Sequence, residues 1–318
     1  MVQLPRHSGT AQGPGEAAPE ATGGPVVSGE ELLAWRRRQL SLGGHASDLD
    51  WLLDLGGGVG WQPLQALRLH PQRPVQLQQD LAQLEQLWRE HLHSAAPLQY
   101  LVGICPWRDL ELQVAPGVLI PRQETELLVE LALAAVDPQT ALRWADLGTG
   151  SGCLAVALAR SLPRSRGLAV DLSPDALLQA TANLARAQVD DRVQLRQGSW
   201  WEPLRDSWGH WELVVSNPPY IPTAVWDELE PVVRRHEPAL ALDGGDDGLG
   251  AIRELAAGAA QALAPGGWLL LEHHHDQSEA VLNLLKRGGL VDVEAHRDLE
   301  GQWRFARGRR PQAAEPPT

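Results

Sequence analysis

At 318 residues the chain is long enough for one large and one small domain, each with a proper core. Its formal net charge of −13 argues against broad, nonspecific attraction to nucleic acid, and no stretch has the uninterrupted apolar length of a membrane span. Two cysteines, Cys105 and Cys153, cannot build a disulfide framework, so a cytoplasmic protein with no direct nucleic-acid partner is expected.

Residues 1–27 are rich in Gly, Pro and Ala, lack the apolar stretch of a signal peptide, and are expected to be a disordered tail. Residues 28–96 read as a small helical domain. Ser28-Gly29-Glu30-Glu31 has the form of a helix start with acids in its first turn, and Asp50 to Leu55 starts a second helix broken by Gly56-Gly57-Gly58. Leu77, Leu81, Leu84, Leu87 and Trp88 fall at helical spacing and predict one buried stripe. Residues 97–121 read as a connector with short β segments such as Leu110 to Val114. From residue 122 to 310, strands alternate with helical stretches. Strands are predicted at Arg143–Leu147, Gly167–Val170, Val193–Arg196, Trp211–Val215, Trp268–Glu272, Val291–Glu294 and Trp303–Ala306. Helices are predicted at Cys153–Leu162, Pro174–Ala187, Gly248–Leu263 and Asp276–Lys286. That alternation implies an α/β fold, a mostly parallel sheet with helices on both faces. Residues 311–318 are expected to be a second disordered tail.

Two strand ends carry the chemistry. After Arg143–Leu147 comes Gly148-Thr149-Gly150-Ser151-Gly152 and then a helix, the nucleotide-binding opening of an α/β sheet. The next strand ends in Asp171, close to the spacing at which an acid grips ribose hydroxyls. No Lys follows Gly152, and Asp146 before the glycines would repel a pyrophosphate, so a phosphate-bearing ligand is disfavoured. S-adenosylmethionine, with an ammonium, a sulfonium and no phosphate, suits the pattern: Asp146 near its methionine end and Asp171 on its ribose.

The second strand end is Asn217-Pro218-Pro219-Tyr220, after the apolar run Trp211 to Val215. Two prolines remove two backbone donors and fix two φ angles, leaving a rigid loop with unpaired carbonyls. One N–H of a planar NH2 group can bond the Asn217 side-chain oxygen and the other a loop carbonyl, while Tyr220 offers a ring for a flat group to lie on. Cys153 reads as a packing residue. His273-His274-His275 on a strand would point to alternate faces, which disfavours a metal site. Asp243 to Gly248 reads as a turn on the rim of the site; Arg122, Glu124 and Glu126 read as a helix start, and His236 as structural.

With these residues placed, the chain resembles the HemK/PrmC family, the protein-glutamine methyltransferases that modify peptide-chain release factors. The resemblance runs from about Pro97 to Arg310. It rests on Pro97-Leu98-Gln99-Tyr100-Leu101-Val102-Gly103, Leu119-Ile120-Pro121-Arg122-Gln123-Glu124-Thr125-Glu126, the glycine loop, the Asn-Pro-Pro-Tyr loop and His236-Glu237-Pro238-Ala239-Leu240-Ala241-Leu242-Asp243-Gly244. It implies a Rossmann-like sheet with a final antiparallel strand. It also implies cofactor contacts from Gly148 to Gly152, Asp171, Trp200 and Asn217, and a substrate glutamine held by Asn217 to Tyr220, with Asn217, Pro218 and Tyr220 as the catalytic set. The helical domain would help recognise the release factor. Gln123 replaces a usual proline, Ser199 stands where an acid often precedes the Trp200 position, and His273-His274 stands where smaller residues are common. The competing readings are an adenine methyltransferase acting on DNA or RNA, a glutamine methyltransferase of a ribosomal protein, and a catalytically silent partner-binding subunit. The first wants a basic channel that this acidic chain does not clearly offer.

Overall fold

The computed structural model describes residues 24–312. The expected tails lie outside the described residues over 1–23 and 313–318. Within the expected first tail, however, Val26 and Val27 belong to a strand, β1 (Val26–Ser28), paired antiparallel with β2 (Pro74–Gln76), so these two residues are not part of a disordered tail. Its backbone groups find partners there, and Val27 packs on the helical core.

Five helices accompany this ribbon: α1 (Gly29–Ser41), α2 (Ala46–Leu55), α3 (Trp61–Leu67), α4 (Leu81–Ser94) and α5 (Leu98–Val102). The Ser28 side chain caps α1 by accepting from the Glu31 N–H at 3.1 Å, and Asp80 and Gln83 form a reciprocal capping box on α4. Leu32, Trp35, Leu49, Leu84 and Trp88 meet in one core. The two indoles also satisfy their polar ends: Trp35 Nε1 donates to the Leu81 carbonyl and Trp88 Nε1 to that of Gln39.

A two-stranded ribbon, β3 (Ile104–Trp107) and β4 (Leu110–Gln113), leads to α6 (Glu126–Ala134). The main sheet then forms from β5 (Arg143–Leu147), β6 (Arg166–Asp171), β7 (Val193–Gln197), β8 (Trp211–Ser216), β9 (Leu263–Glu272), β10 (Val291–Arg297) and β11 (Trp303–Arg309). Its order is β10-β11-β9-β8-β5-β6-β7. The five strands β5 to β9 run parallel, and β11 inserts antiparallel between β9 and β10. The expected α/β architecture is present, including the antiparallel final strand. Helices α7 (Cys153–Ser161), α8 (Pro174–Arg186), α9 (Pro231–His236), α10 (Gly250–Ala262) and α11 (Ser278–Arg287) complete it.

The period of two along each strand sorts side chains between two cores. Trp144, Leu213, Val215 and Leu270 face the layer of α6 and α7. Ala145, Val214, Leu269 and Leu271 face the layer of α10 and α11. Gly167 is dictated by this packing, because a Cβ there would lie 2.1 Å from the buried Trp144 ring. Chain order reverses at β5, flanked by β6 on one side and β8 on the other. In an open parallel sheet that is where a crevice opens beyond the strand ends.

Candidate active site

The glycine loop, Asp171, Trp200 and Asn217 each stand where a parallel strand stops. The Gly148 and Thr149 amides both donate to the Val170 carbonyl at 2.9 Å, folding the loop after β5 over the end of β6. Gly148, Gly150 and Gly152 all have positive φ, which lets this turn close without strain. Asp171, half-buried at the end of β6, holds the loop from below: Oδ2 accepts from Gly150 N at 2.8 Å and Oδ1 from Ser173 N at 2.9 Å. Burial raises its pKa, and the two amide bonds oppose the shift.

Trp200 follows β7. Its φ of +42° is rare for a bulky residue, and such strain persists only where surrounding structure enforces it. The ring lies against the glycine loop, 3.2 Å from where a Cβ on Gly148 would stand. A cavity of about 260 Å³ opens between these parts, near the lower end for small-molecule sites. Gly148 to Ser151, Asp171, Ser199, Trp200, Asn217 and Pro219 line it, joined by Arg122, Asp243 and the connector residues Gly117 to Leu119.

Several expected residues stand elsewhere. Asp146 is fully buried beneath the loop rather than in the cavity wall; its Oδ2 accepts from Thr149 Oγ1 at 2.6 Å. Burial pushes its carboxyl up to about 7, so it braces the loop instead of presenting a charge to a ligand. Gly152 also lies outside the lining, packed 3.0 Å (as a virtual Cβ) from the Ala180 methyl. Pro218 is buried behind Asn217 and Pro219. Tyr220 packs among the α10 and α11 core residues and donates its hydroxyl to Glu272 Oε1 at 3.1 Å, so its ring is not a cavity platform. His236 is bonded through Nε2 to the Ser94 carbonyl at 2.8 Å, tying α9 to the end of α4. Burial raises the Cys153 thiol far out of the reactive range, in keeping with a packing role. His274 pairs with Asp276 at 2.6 Å.

Two residues in the arrangement, Glu272 and Thr125, carried no functional assignment from the sequence. Glu272, 1% exposed at the end of β9, accepts from Thr125 Oγ1 at 2.7 Å through Oε2. The same Thr125 oxygen receives Asn217 Nδ2 at 3.0 Å. Burial lifts the Glu272 carboxyl to about 7 against the lowering effect of those hydroxyls. An acid at the C-terminal end of a parallel strand was the available signal, the same one that marks Asp171. Arg122, on the cavity wall, bonds Glu237 at 2.8 Å and fastens the loop before α6 to the segment after α9.

The fold and site are those of a methyltransferase: the methyltransferase small domain family matches residues 122–229, spanning the glycine loop, Asp171 and Asn217 to Tyr220. A release factor glutamine methyltransferase of Prochlorococcus marinus is 53% identical over 286 residues, covering 89% of this chain and 98% of the relative. A relative of the same name from Synechocystis is 40% identical over 296 residues, covering 89% and 97%. One from Gloeobacter violaceus is 46% identical over 242 residues, covering 76% and 82%. The chain belongs to the release factor glutamine methyltransferase family, and its methyl donor is S-adenosylmethionine. The cavity fits that donor. A Cβ at Gly150 would meet only open space, a carboxylate stands at the strand end for hydroxyl groups, and an indole flanks the loop.

Proposed function

We propose that this protein methylates the side-chain amide nitrogen of the glutamine in the Gly-Gly-Gln loop of peptide-chain release factors. One observation carries the reading: the amide of Asn217 and the glycine loop with Asp171 line the same cavity. A donor site and an amide-recognising acceptor are thereby within reach of one another.

S-adenosylmethionine, when bound, supplies a methyl group made electrophilic by its sulfonium. The residues that would hold it are Gly148 to Ser151 through close backbone approach, Asp171 through ribose hydroxyls, and Trp200 through its ring. The glutamine amide nitrogen is a poor nucleophile because its lone pair is delocalised into its carbonyl. Asn217 Oδ1 and the Pro218 carbonyl, which meets no donor among the described residues but would have to turn toward the cavity from behind Asn217, would accept its two N–H bonds. Both acceptors orient the lone pair and face the positive charge that grows on nitrogen, the kind of preorganised contact that lowers a barrier most. Once alkylated, the nitrogen is acidic and gives up one proton to water without a dedicated base.

The helical region built on α1 to α5 would engage the release factor, within the cytoplasm. Among the described residues no helix is long and apolar enough to cross a membrane. The test presents labelled cofactor with purified release factors, ribosomal protein and DNA side by side. Label on the release-factor glutamine, located by mass spectrometry of the loop peptide, is the expected result. Label on adenine with the release factor unmodified would overturn the substrate assignment.

A further inference from the structure

A side-chain amide has two ends of nearly equal size, so shape alone does not decide which end of Asn217 meets a substrate. Hydrogen-bond polarity does. Thr125, 2% exposed at the head of α6, has one hydroxyl proton, and Glu272 Oε2 takes it at 2.7 Å. Toward Asn217 the Thr125 oxygen can then only accept, and it accepts from Nδ2 at 3.0 Å. Oδ1 is left as the free end of a half-buried amide that lines the cavity. We propose that Thr125 and Glu272 are positioning residues that lock the Asn217 amide with its oxygen toward the substrate. This rests on the reading of Asn217 as the acceptor for the glutamine NH2. With the amide reversed, two NH2 groups would face each other and no productive bond could form.

Glu272 is suited to the task because it can accept on both oxygens. Oε1 takes the Tyr220 hydroxyl, so one carboxylate anchors the Asn217 side chain through Thr125 and the far end of the same loop through Tyr220. These partners lie 92, 147 and 52 residues apart along the chain, so only the folded sheet assembles them. Arg304 from β11 and Glu124 from the turn before α6 are the other charged groups acting on Glu272, the first favouring its ionised form and the second opposing it. Tyr220 itself stays protonated, its pKa raised by burial and by Glu272.

The test uses the full-length enzyme with Thr125→Val, Thr125→Ser and Glu272→Gln. Thr125→Val should lower kcat on the release factor by about 10- to 100-fold, less than the roughly 100- to 1000-fold cost of losing a direct preorganised contact because Asn217 itself remains, with S-adenosylmethionine Kd unchanged by calorimetry. Thr125→Ser, which keeps the hydroxyl, should recover most of that loss, and Glu272→Gln should fall between them. Without any substrate, NMR of the Asn217 NH2 group, assigned by its disappearance in Asn217→Asp, should show one proton protected from exchange in wild type and exposed in Thr125→Val. Wild-type kcat in Thr125→Val, no recovery in Thr125→Ser, or an unprotected Asn217 NH2 in wild type would each overturn the proposal. A wild-type enzyme inactive on release factors, yet with an Asn217 NH2 whose protection depends on Thr125, would sink the substrate reading and uphold the orientation.

Discussion

The two halves of the cavity are built by different means. The half around β5 to β7 is assembled locally: Asp171 bonds Gly150 from 21 residues away, and Trp200 follows on the next strand. The half around β8 and β9 is assembled at long range, with Thr125 reaching Asn217 and Glu272 across 92 and 147 residues and Arg122 reaching Glu237 across 115. The local half uses backbone amides and a loop conformation that glycine permits. The long-range half uses buried side-chain hydrogen bonds whose polarity has to agree at every step. On the proposed function, the cofactor half rests mainly on backbone conformation near in sequence, braced from outside by Asn183, whereas the half that orients a poor nucleophile needs side chains that the whole sheet brings together.

Asn217→Ala is the strongest way to separate the halves. Turnover should drop by about two to three orders of magnitude while the fold and most of the cofactor affinity remain, the loss expected for one preorganised contact. Steady-state kinetics beside calorimetry would show it, and a parallel loss of cofactor binding would mean the two halves are not distinct. Asp171→Ala probes the other side. It should weaken S-adenosylmethionine by about 1.5–3 kcal/mol, the worth of hydrogen bonds to a charged group, and leave kcat at saturation largely intact. An unchanged Kd in the folded variant would remove Asp171 from the cofactor contacts.

Acidity titrates both halves, since Asp146 under the glycine loop is also raised to about 7, so the long-range half is isolated by comparing wild type with Glu272→Gln. Ionised Glu272 accepts two hydroxyl protons, so kcat should fall as pH drops through about 7 and level off near the activity of Glu272→Gln, which should itself lack that limb. Stability should move the other way. The folded-state pKa is raised from 4.5, so this carboxyl's stabilising contribution is fully present below that value and is lost as pH rises through about 7. Thermal melts should therefore show Glu272→Gln gaining on wild type between about pH 5 and pH 8. A constant difference would mean Glu272 keeps an ordinary pKa in the fold. The smallest effect belongs to Trp200. Cofactor should quench tryptophan emission in wild type and much less in Trp200→Leu, a modest signal among 13 indoles. Equal quenching would hand the role to another ring.

The same division explains what could be read from the chain. The glycine loop, Asp171 and Asn217 each follow a strand whose apolar run is visible, and strand-end loops are where an α/β sheet binds ligands. Asp146 misled because a sequence shows charge but not depth; the loop closes over it through Thr149, and it never reaches the cavity. Tyr220 misled for a related reason, since its hydroxyl is claimed by a residue 52 positions away. The β1–β2 ribbon was invisible because Val26 to Ser28 alone is too short to show a period. Thr125 lay within a motif already singled out, yet its role depends on proton direction, which no spacing rule expresses.

One small feature, the amide of Asn183, bears on where this chain can be cut. Asn183 is 1% exposed on α8; it exchanges two hydrogen bonds with the Gln113 backbone, at 2.7 and 2.9 Å, and gives a third to the Ser151 carbonyl at 2.8 Å. It rivets the β3–β4 ribbon to the glycine loop. A fragment starting at Arg122 would strand a buried amide with two broken bonds, remove Gly117 to Leu119 from the cavity wall, and loosen the loop from outside. The catalytic unit, as an engineer would have to excise it, starts no later than the ribbon, upstream of residue 122 where the match to the methyltransferase small domain begins.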